Sequence, residues 1–263
     1  MKKVLLTMAT MFVALPLALL VACGDDDDNN DNGNNYTPSV KHIAKIIEES
    51  QGTTFERMFT YDSEGRVVKM ITTVNSARDS HTYNSTYQYS DSLITCDEEV
   101  VGNGNLFSHI FTLENGRIVL DKVTDKEEKT FKYFKYNKDG CVVGYRIAVY
   151  NTDPYMPPYV YHTISWDNGN PLVMDYMTDN VIAWDYTDLP WKKGTFFEFD
   201  YSIIPETDPV LLGMGYYGEL PKKLPSRYEK RLYEYNVSDS LVTKVTRIDS
   251  LQTERCVMNI TWE

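Results

Sequence analysis

The sequence is poor in the side chains that most reaction chemistry needs, with four histidines and four cysteines among 263 residues. His42, His81, His109 and His162 stand apart from one another, so there is no His-Glu-x-x-His zinc pattern, and there is no Cys-x-x-Cys pair. A Gly-x-Ser-x-Gly elbow and a phosphate loop are also missing. No cofactor, metal site or catalytic residue is therefore expected. Positive charge is scarce too: 26 Lys and Arg face 38 Asp and Glu, a net of −12. That balance speaks against nucleic acid as a partner, because phosphate binding needs a cationic stripe. In contrast, 42% of residues are hydrophobic and 13% aromatic, enough for a sizeable core and too many for a disordered chain. The 20 tyrosines favour pleated surfaces, which points to strands.

Residues 1–22 read as a signal peptide. Met1-Lys2-Lys3 is its cationic start, and Val4 to Leu20 is an apolar stretch broken by Pro16, shorter in character than a membrane span. Leu20-Val21-Ala22-Cys23 resembles the bacterial lipobox, and the resemblance implies that Cys23 is acylated and becomes the first residue of the mature chain. More than one acyl chain is needed for stable anchoring. The expected membrane partner is thus an outer membrane, reached through lipid and without a spanning helix.

Residues 23–35 are the lipidated cysteine followed by a polar run, Gly24, Asp25 to Asp28, Asn29, Asn30, Asp31, Asn32, Gly33, Asn34 and Asn35, which cannot bury itself and reads as a solvated tether. Acidic residues directly behind a lipidated cysteine resemble the surface-export signal of Bacteroidetes lipoproteins; a plain spacer on a periplasm-facing lipoprotein is the alternative. Asp28, Asn30, Asn32 and Gly33 match the first half of an EF-hand loop, but position twelve is Ser39 rather than the bidentate Glu, so calcium binding is not expected. Without Lys2, Lys3 and the five tether aspartates, residues 36–263 keep 24 basic and 33 acidic residues, a net of −9. Cys96, Cys141 and Cys256 remain in that part, an odd number set in apolar runs, and buried free thiols are expected.

A short pattern organises residues 36–263: two aromatic or apolar residues one apart, a polar turn, then a β-branched run. It appears at Phe59-Thr60-Tyr61, Tyr87-Gln88-Tyr89, Phe111-Thr112-Leu113, Phe134-Lys135-Tyr136, Ile164-Ser165-Trp166 and Tyr233-Glu234-Tyr235, with a weaker copy at Phe197-Glu198-Phe199. Two same-face residues end a strand, a Gly-containing turn supplies positive φ, and the return strand follows, so each copy predicts one β-hairpin. Asp91-Ser92 and Asp239-Ser240 stand where other copies have Gly, which predicts a different turn in those two hairpins. The stretch 40–49 fits either a helical stripe or a strand, and an initial strand is preferred. The predicted fold is all-β: a single-domain antiparallel meander of roughly fourteen to sixteen strands, which must curl into a strongly curved sheet or barrel-like shell because open sheets rarely exceed about ten strands.

Tyr61-Asp62-Ser63-Glu64-Gly65-Arg66-Val67 resembles a YD-type repeat. The lipobox, the acidic tether, the spaced hairpins and the segment Leu212-Gly213-Met214-Gly215-Tyr216-Tyr217-Gly218-Glu219-Leu220-Pro221-Lys222-Lys223-Leu224-Pro225 together resemble Bacteroidetes lipoproteins that carry a domain of unknown function with a porin-like fold. The resemblance implies that fold and no established activity. It does not imply a pore: Arg66-Val67-Val68-Lys69-Met70 and Val242-Thr243-Lys244-Val245-Thr246-Arg247 carry cations on both faces, whereas a lipid-facing cation costs about 2–4 kcal/mol at mid-depth.

The most distinctive stretch is 150–201. Asn151 to Tyr159 is a Pro-stiffened loop carrying Tyr155 and Tyr159, and Trp184-Asp185-Tyr186-Thr187-Asp188-Leu189-Pro190-Trp191 is an aromatic and acidic insertion. Tyr155, Tyr159, Trp184, Tyr186 and Trp191 are the candidate ligand-binding residues, since rigid aromatics beside carboxylates suit flat or hydroxyl-rich ligands; capping the open end of the core is the competing role. Three functions follow as expectations: a non-catalytic, surface-exposed outer-membrane lipoprotein that binds a glycan or protein; a structural or assembly subunit of an envelope complex; or a glycan hydrolase whose carboxylate pair, drawn from residues such as Asp185, Asp188, Glu198 and Asp200, is not recognisable in sequence. The anchor is directly testable. Cells fed a labelled fatty acid should incorporate it into the wild-type chain and not into Cys23→Ala.

Overall fold

The computed structural model describes residues 40–102, 104–124, 129–150, 160–176, 181–196, 204, 206–228, 231–249 and 255–263. Residues Val40–Glu263 form one compact unit. Within it lie sixteen strands: β1 (Ile43–Ser50), β2 (Thr53–Tyr61), β3 (Val67–Asn75), β4 (Ser80–Tyr89), β5 (Leu93–Val100), β6 (Gly104–Glu114), β7 (Arg117–Thr124), β8 (Lys129–Tyr136), β9 (Val142–Tyr150), β10 (Val160–Asp167), β11 (Asn170–Tyr176), β12 (Val181–Pro190), β13 (Lys223–Tyr228), β14 (Arg231–Ser238), β15 (Leu241–Asp249) and β16 (Arg255–Trp262). One short helix, α1 (Pro209–Gly213), lies in the β12–β13 connection. Every strand pairs antiparallel with its sequence neighbours, and β1 pairs with β16, so the meander closes into a barrel. The stretch left open between helix and strand is β1.

The hairpin turns place the even-to-odd connections at one rim. Asn115-Gly116 and Asn168-Gly169 each take two successive positive φ values, the geometry that matches strand twist in two-residue loops. Asp239-Ser240 does the same, at 51° and 61°, so the expected change of turn geometry there does not occur. In the longer turns, Asp62 and Asn137 use a side-chain oxygen to accept two backbone N–H groups each, from Glu64 and Arg66 and from Asp139 and Cys141. Gly65 and Gly140 supply the positive φ that closes those loops.

A register slip recurs at this rim. The odd strand skips one residue opposite the even strand before it at Val68, Val119, Val143, Leu172, Arg227's neighbour Ser226 and Thr243, and β1 skips Ala44 opposite β16. A bulge of this kind sharpens twist and leaves backbone groups outside the ladder. An aromatic residue in the last rungs of the next even strand's ladder satisfies them. Tyr61 donates its hydroxyl to the Ile43 carbonyl, Tyr89 to Val67, Tyr136 to Ile118, Tyr186 to Pro171 and Tyr235 to Pro225, while Trp166 and Trp262 donate Nε1 to Val142 and Val242. The β4–β5 hairpin has no slip. The even strand after it ends in Leu113, which has no donor to give.

Sixteen strands enclose more space than wall side chains fill, as the aqueous channels of barrels this size show. Here the β12–β13 connection enters that space. Phe196 packs edge-on against Phe59, Tyr217 against Phe134, and Tyr216 stacks on Tyr89. Backbone bonds tie it to the rim: Ile118 N–H to Tyr216, Glu219 N–H to Gly140 and Lys222 N–H to Gly169. Val210, Leu211 and Tyr217 are fully buried, and with Ile43, Phe111, Ile118, Val142 and Leu224 of the wall they make the core. The glycines of the 212–225 segment serve this insertion: a Cβ on Gly218 would lie 2.2 Å from the Gly140 carbonyl, and one on Gly213 2.7 Å from that of Thr195.

Tyr136→Phe should lower stability by about 1–3 kcal/mol, the cost of stranding a buried carbonyl, seen as a Tm drop of several degrees at about 2–4 °C per kcal/mol in a domain this size. Leu113→Met, where no carbonyl waits, should leave the melting curve unchanged.

Candidate functional site

Alternation along the even strands fixes what faces the lumen. The end aromatic points inward, the residue two before it is apolar and buried, and the residue four before it comes next in the same file. That third tier is polar on six of the eight even strands: Arg57, Ser85, His109, Lys132, His162 and Arg231. Arg57, Ser85 and His162 are buried. The barrel therefore carries an apolar layer at the turn rim and a polar belt one layer deeper.

Burying charge is costly unless it is paired, and Arg57, His109 and Lys132 of the belt are paired. Arg57 Nη1 lies 2.7 Å from Glu48 Oε2, and Cys256 donates its thiol to the other oxygen of Glu48 at 3.3 Å. His109 Nδ1 meets Asp121 Oδ1 at 3.0 Å, and Lys132 reaches Glu206 of the β12–β13 connection at 3.0 Å and Asp121 at 3.9 Å. Asp208, which caps α1 by accepting the Leu211 N–H, also accepts the Tyr87 hydroxyl at 3.0 Å. The belt thus grips the inserted connection from the wall.

Protonation states follow from these contacts. Burial pushes the Asp208 carboxyl up from its ordinary value, against the Leu211 N–H, His109 and Tyr87, which favour its charged form. Burial also pulls His109 down, but its hydrogen bond to Asp121 and the charges of Asp121 and Asp208 outweigh that and hold the imidazole above its ordinary value. For His162 burial outweighs the opposing charge of Glu206 and leaves the imidazole below its ordinary value. Burial, reinforced by the charge of Asp208, pushes the Cys96 thiol far up, so it is a poor nucleophile.

A cavity of about 210 Å³ opens between the belt and α1. Wall residues Met70, Ser85, Tyr87, Cys96, Glu98, Phe107 and His109 line one side, and Asp208, Pro209 and Val210 the other. A second cleft of about 420 Å³ lies at the turn rim among Asn137, Trp166, Asn168, Glu219 and Lys222. Among the described residues, no group of three or more His, Cys, Asp or Glu is arranged to hold a metal ion. Cys96, Cys141 and Cys256 are free and buried.

The candidate aromatics are divided by the fold. Trp184 is buried, stacked on Tyr228 with 5.4 Å between ring centres, and its Nε1 has no hydrogen-bond partner. Tyr186 is an end aromatic whose hydroxyl is committed to Pro171. Trp191 is half-buried, and its backbone N–H bonds to Lys222 where the inserted connection leaves β12. Tyr155 and Tyr159 lie outside the described residues, as do Cys23, the acidic tether, the weak repeat at 197–199, Glu198 and Asp200. Of the remaining carboxylates, Asp185 and Asp188 sit on the outer face, paired with Arg227 and Lys223. No sequence motif marks the belt and cavity; their one signal is the position two before the first aromatic of each repeat, which changes residue type from copy to copy.

A sixteen-stranded antiparallel barrel filled at one end by its own β12–β13 connection defines the architecture. No family model matches the sequence, and no curated protein matches it. Among solved structures the chain is similar to a porin-like protein from Bacteroides uniformis, with 15% identity and a TM-score of 0.63 over 84% of this chain and 98% of that one. It is also similar to a porin-like protein from Bacteroides vulgatus, with 12% identity and a TM-score of 0.57 over 85% and 99%. At these identities the shared property is the fold.

His109 gives the belt a pH signature. Its folded-state value lies above the ordinary 6.5, so its stabilisation is complete below about pH 6.5 and is lost as pH rises through the folded value. Thermal unfolding from pH 5.5 upward should show wild type more stable than His109→Gln at the acidic end, with the gap closing at the alkaline end.

Proposed function

We propose that this chain is a non-catalytic, lipid-anchored barrel held at the outer-membrane surface with its walls in water, and that it binds a glycan or protein ligand. The outward face of the barrel carries the reading. Lys45 pairs with Glu56, and Arg227 with Asp185, across neighbouring strands, while Asp97 and Glu99 on β5, Lys129 and Lys135 on β8, Glu234 on β14 and Arg255 on β16 are exposed. A spanning barrel needs an unbroken apolar band about 25 Å tall, and each cation in it costs about 2–4 kcal/mol at the midplane. The large exposed apolar residues, such as Met58, Leu172 and Leu232, are scattered single positions.

The inserted connection supports a binding role over conduction, since its described residues pack among the apolar tier and bond to the wall through Lys132 and Tyr87. Cys96, the thiol that lines the cavity, is held protonated, which supports a non-catalytic reading. Export by the acidic tether behind Cys23 would place the barrel outside the cell, and the paired charges of its outer wall are compatible with water or a protein neighbour there.

A chain starting at Tyr36 should stay monodisperse in buffer without detergent and give no conductance steps in planar bilayers. Aggregation on detergent removal, together with channel activity, would reverse the reading in favour of a membrane-spanning barrel.

A further inference from the structure

The cavity between the wall and α1 has a floor of regular construction. Ser85, Glu98 and Phe107 are direct cross-strand partners on β4, β5 and β6, and Tyr87, Cys96 and His109 are the partners of the next inward row. Three strands at about 4.8 Å and a two-residue step along each give a face of about 10 by 7 Å. Its 210 Å³ is below the roughly 300–1,000 Å³ of pockets for drug-sized ligands. The occupant is therefore about one six-membered ring.

The polar groups on this face also define the ligand's chemistry. His109 bonds to Asp121 through Nδ1, which leaves Nε2 as the ring nitrogen available to the cavity. Glu98 accepts from the Ser85 hydroxyl through Oε2 at 3.3 Å, which leaves Oε1. A ring nitrogen and a carboxylate oxygen, set diagonally among hydroxyl and thiol groups and facing the Asp208 carboxyl, offer donors and acceptors side by side and suit a ligand that both donates and accepts. Phe107, 37% exposed, offers a ring face beside them, and Met70, Pro209 and Val210 add apolar surface. A molecule with an apolar C–H face and a rim of hydroxyls matches both halves of this surface.

We infer that this cavity is a binding site for a single pyranose ring, with Glu98 and His109 holding its hydroxyls and Phe107 stacking on its C–H face. The inference rests on the ligand-binding part of the function proposed above and assigns it to the lumen rather than to the aromatics of 150–201. Because Asp208, Pro209 and Val210 form the opposite wall, an occupied site also clamps the inserted connection in place.

The test is titration of the full chain in detergent with free hexoses and methyl glycosides, followed by saturation-transfer NMR and calorimetry. At least one should bind saturably, and Glu98→Gln and His109→Gln should each weaken it tenfold or more while Trp191→Ala leaves it within twofold. Ser85→Ala replaces either variant if melting shows that it does not fold. Binding that survives the cavity substitutions and is lost in Trp191→Ala would overturn the site while leaving a ligand-binding lipoprotein intact. Saturation by alanine or phosphate in place of any sugar would overturn the ligand class, and no saturable binding by any of these probes would overturn the inference altogether.

Discussion

The barrel depends on one exchange repeated around its rim: each bulge that tightens the sheet frees a main-chain carbonyl, and an aromatic hydroxyl or indole N–H from the next strand takes it. A bulge without a donor would leave a polar group unpaired at the edge of the core, and a buried aromatic donor without a bulge would have the same fault. The β4–β5 hairpin omits both, with an unbroken register and Leu113 in the aromatic's place. Burial reinforces the arrangement, because it pushes the hydroxyls of Tyr89, Tyr136 and Tyr186 far up and keeps them as donors. The rim is thus covalently plain but hydrogen-bonded as a ring.

Inside that ring the molecule solves a volume problem. A wall of sixteen strands cannot meet itself across the lumen, so the chain spends the β12–β13 connection as filler, and the filler must be held. Apolar contacts such as Phe59 with Phe196 seat it at the rim, and polar ones such as Tyr87 with Asp208 and Lys132 with Glu206 orient it deeper down. Pairing a wall cation with an acid on the filler is useful here because the geometry is directional, whereas apolar packing alone would tolerate sliding. The same polar tier then borders an unfilled space, which is where recognition chemistry becomes available.

The sequence announces the hairpins because end aromatic, turn glycine and return strand lie within ten residues, as in Tyr61 to Val67. Two end aromatics escape that pattern for physical reasons. Tyr186 is followed by the inserted connection rather than a turn, which made it look like loop chemistry, and Trp262 is followed by the chain's last residue, with its return strand, β1, at the opposite end of the sequence. Residues 40–49 were ambiguous because Ile43, Ile46 and Ile47 satisfy a helical stripe; the slip at Ala44 is what brings both Ile43 and Ile46 to the inner face of a strand. The polar belt was not legible as a motif. Its members share a position and not a residue type, and their partners, such as Glu48 for Arg57 or Glu206 for Lys132, are set by the three-dimensional register and by the inserted connection.

The closure between β1 and β16 is made by the same ladder as every other seam, down to reciprocal bonds between His42 and Glu263 at 2.8 and 2.9 Å. The barrel consequently has no structural first strand. In the barrel segment 42–263 alone, a short linker joining those two residues would allow circular permutation, with new termini cut at the unbulged Asp91-Ser92 turn, where neither an aromatic donor nor a freed carbonyl would be lost.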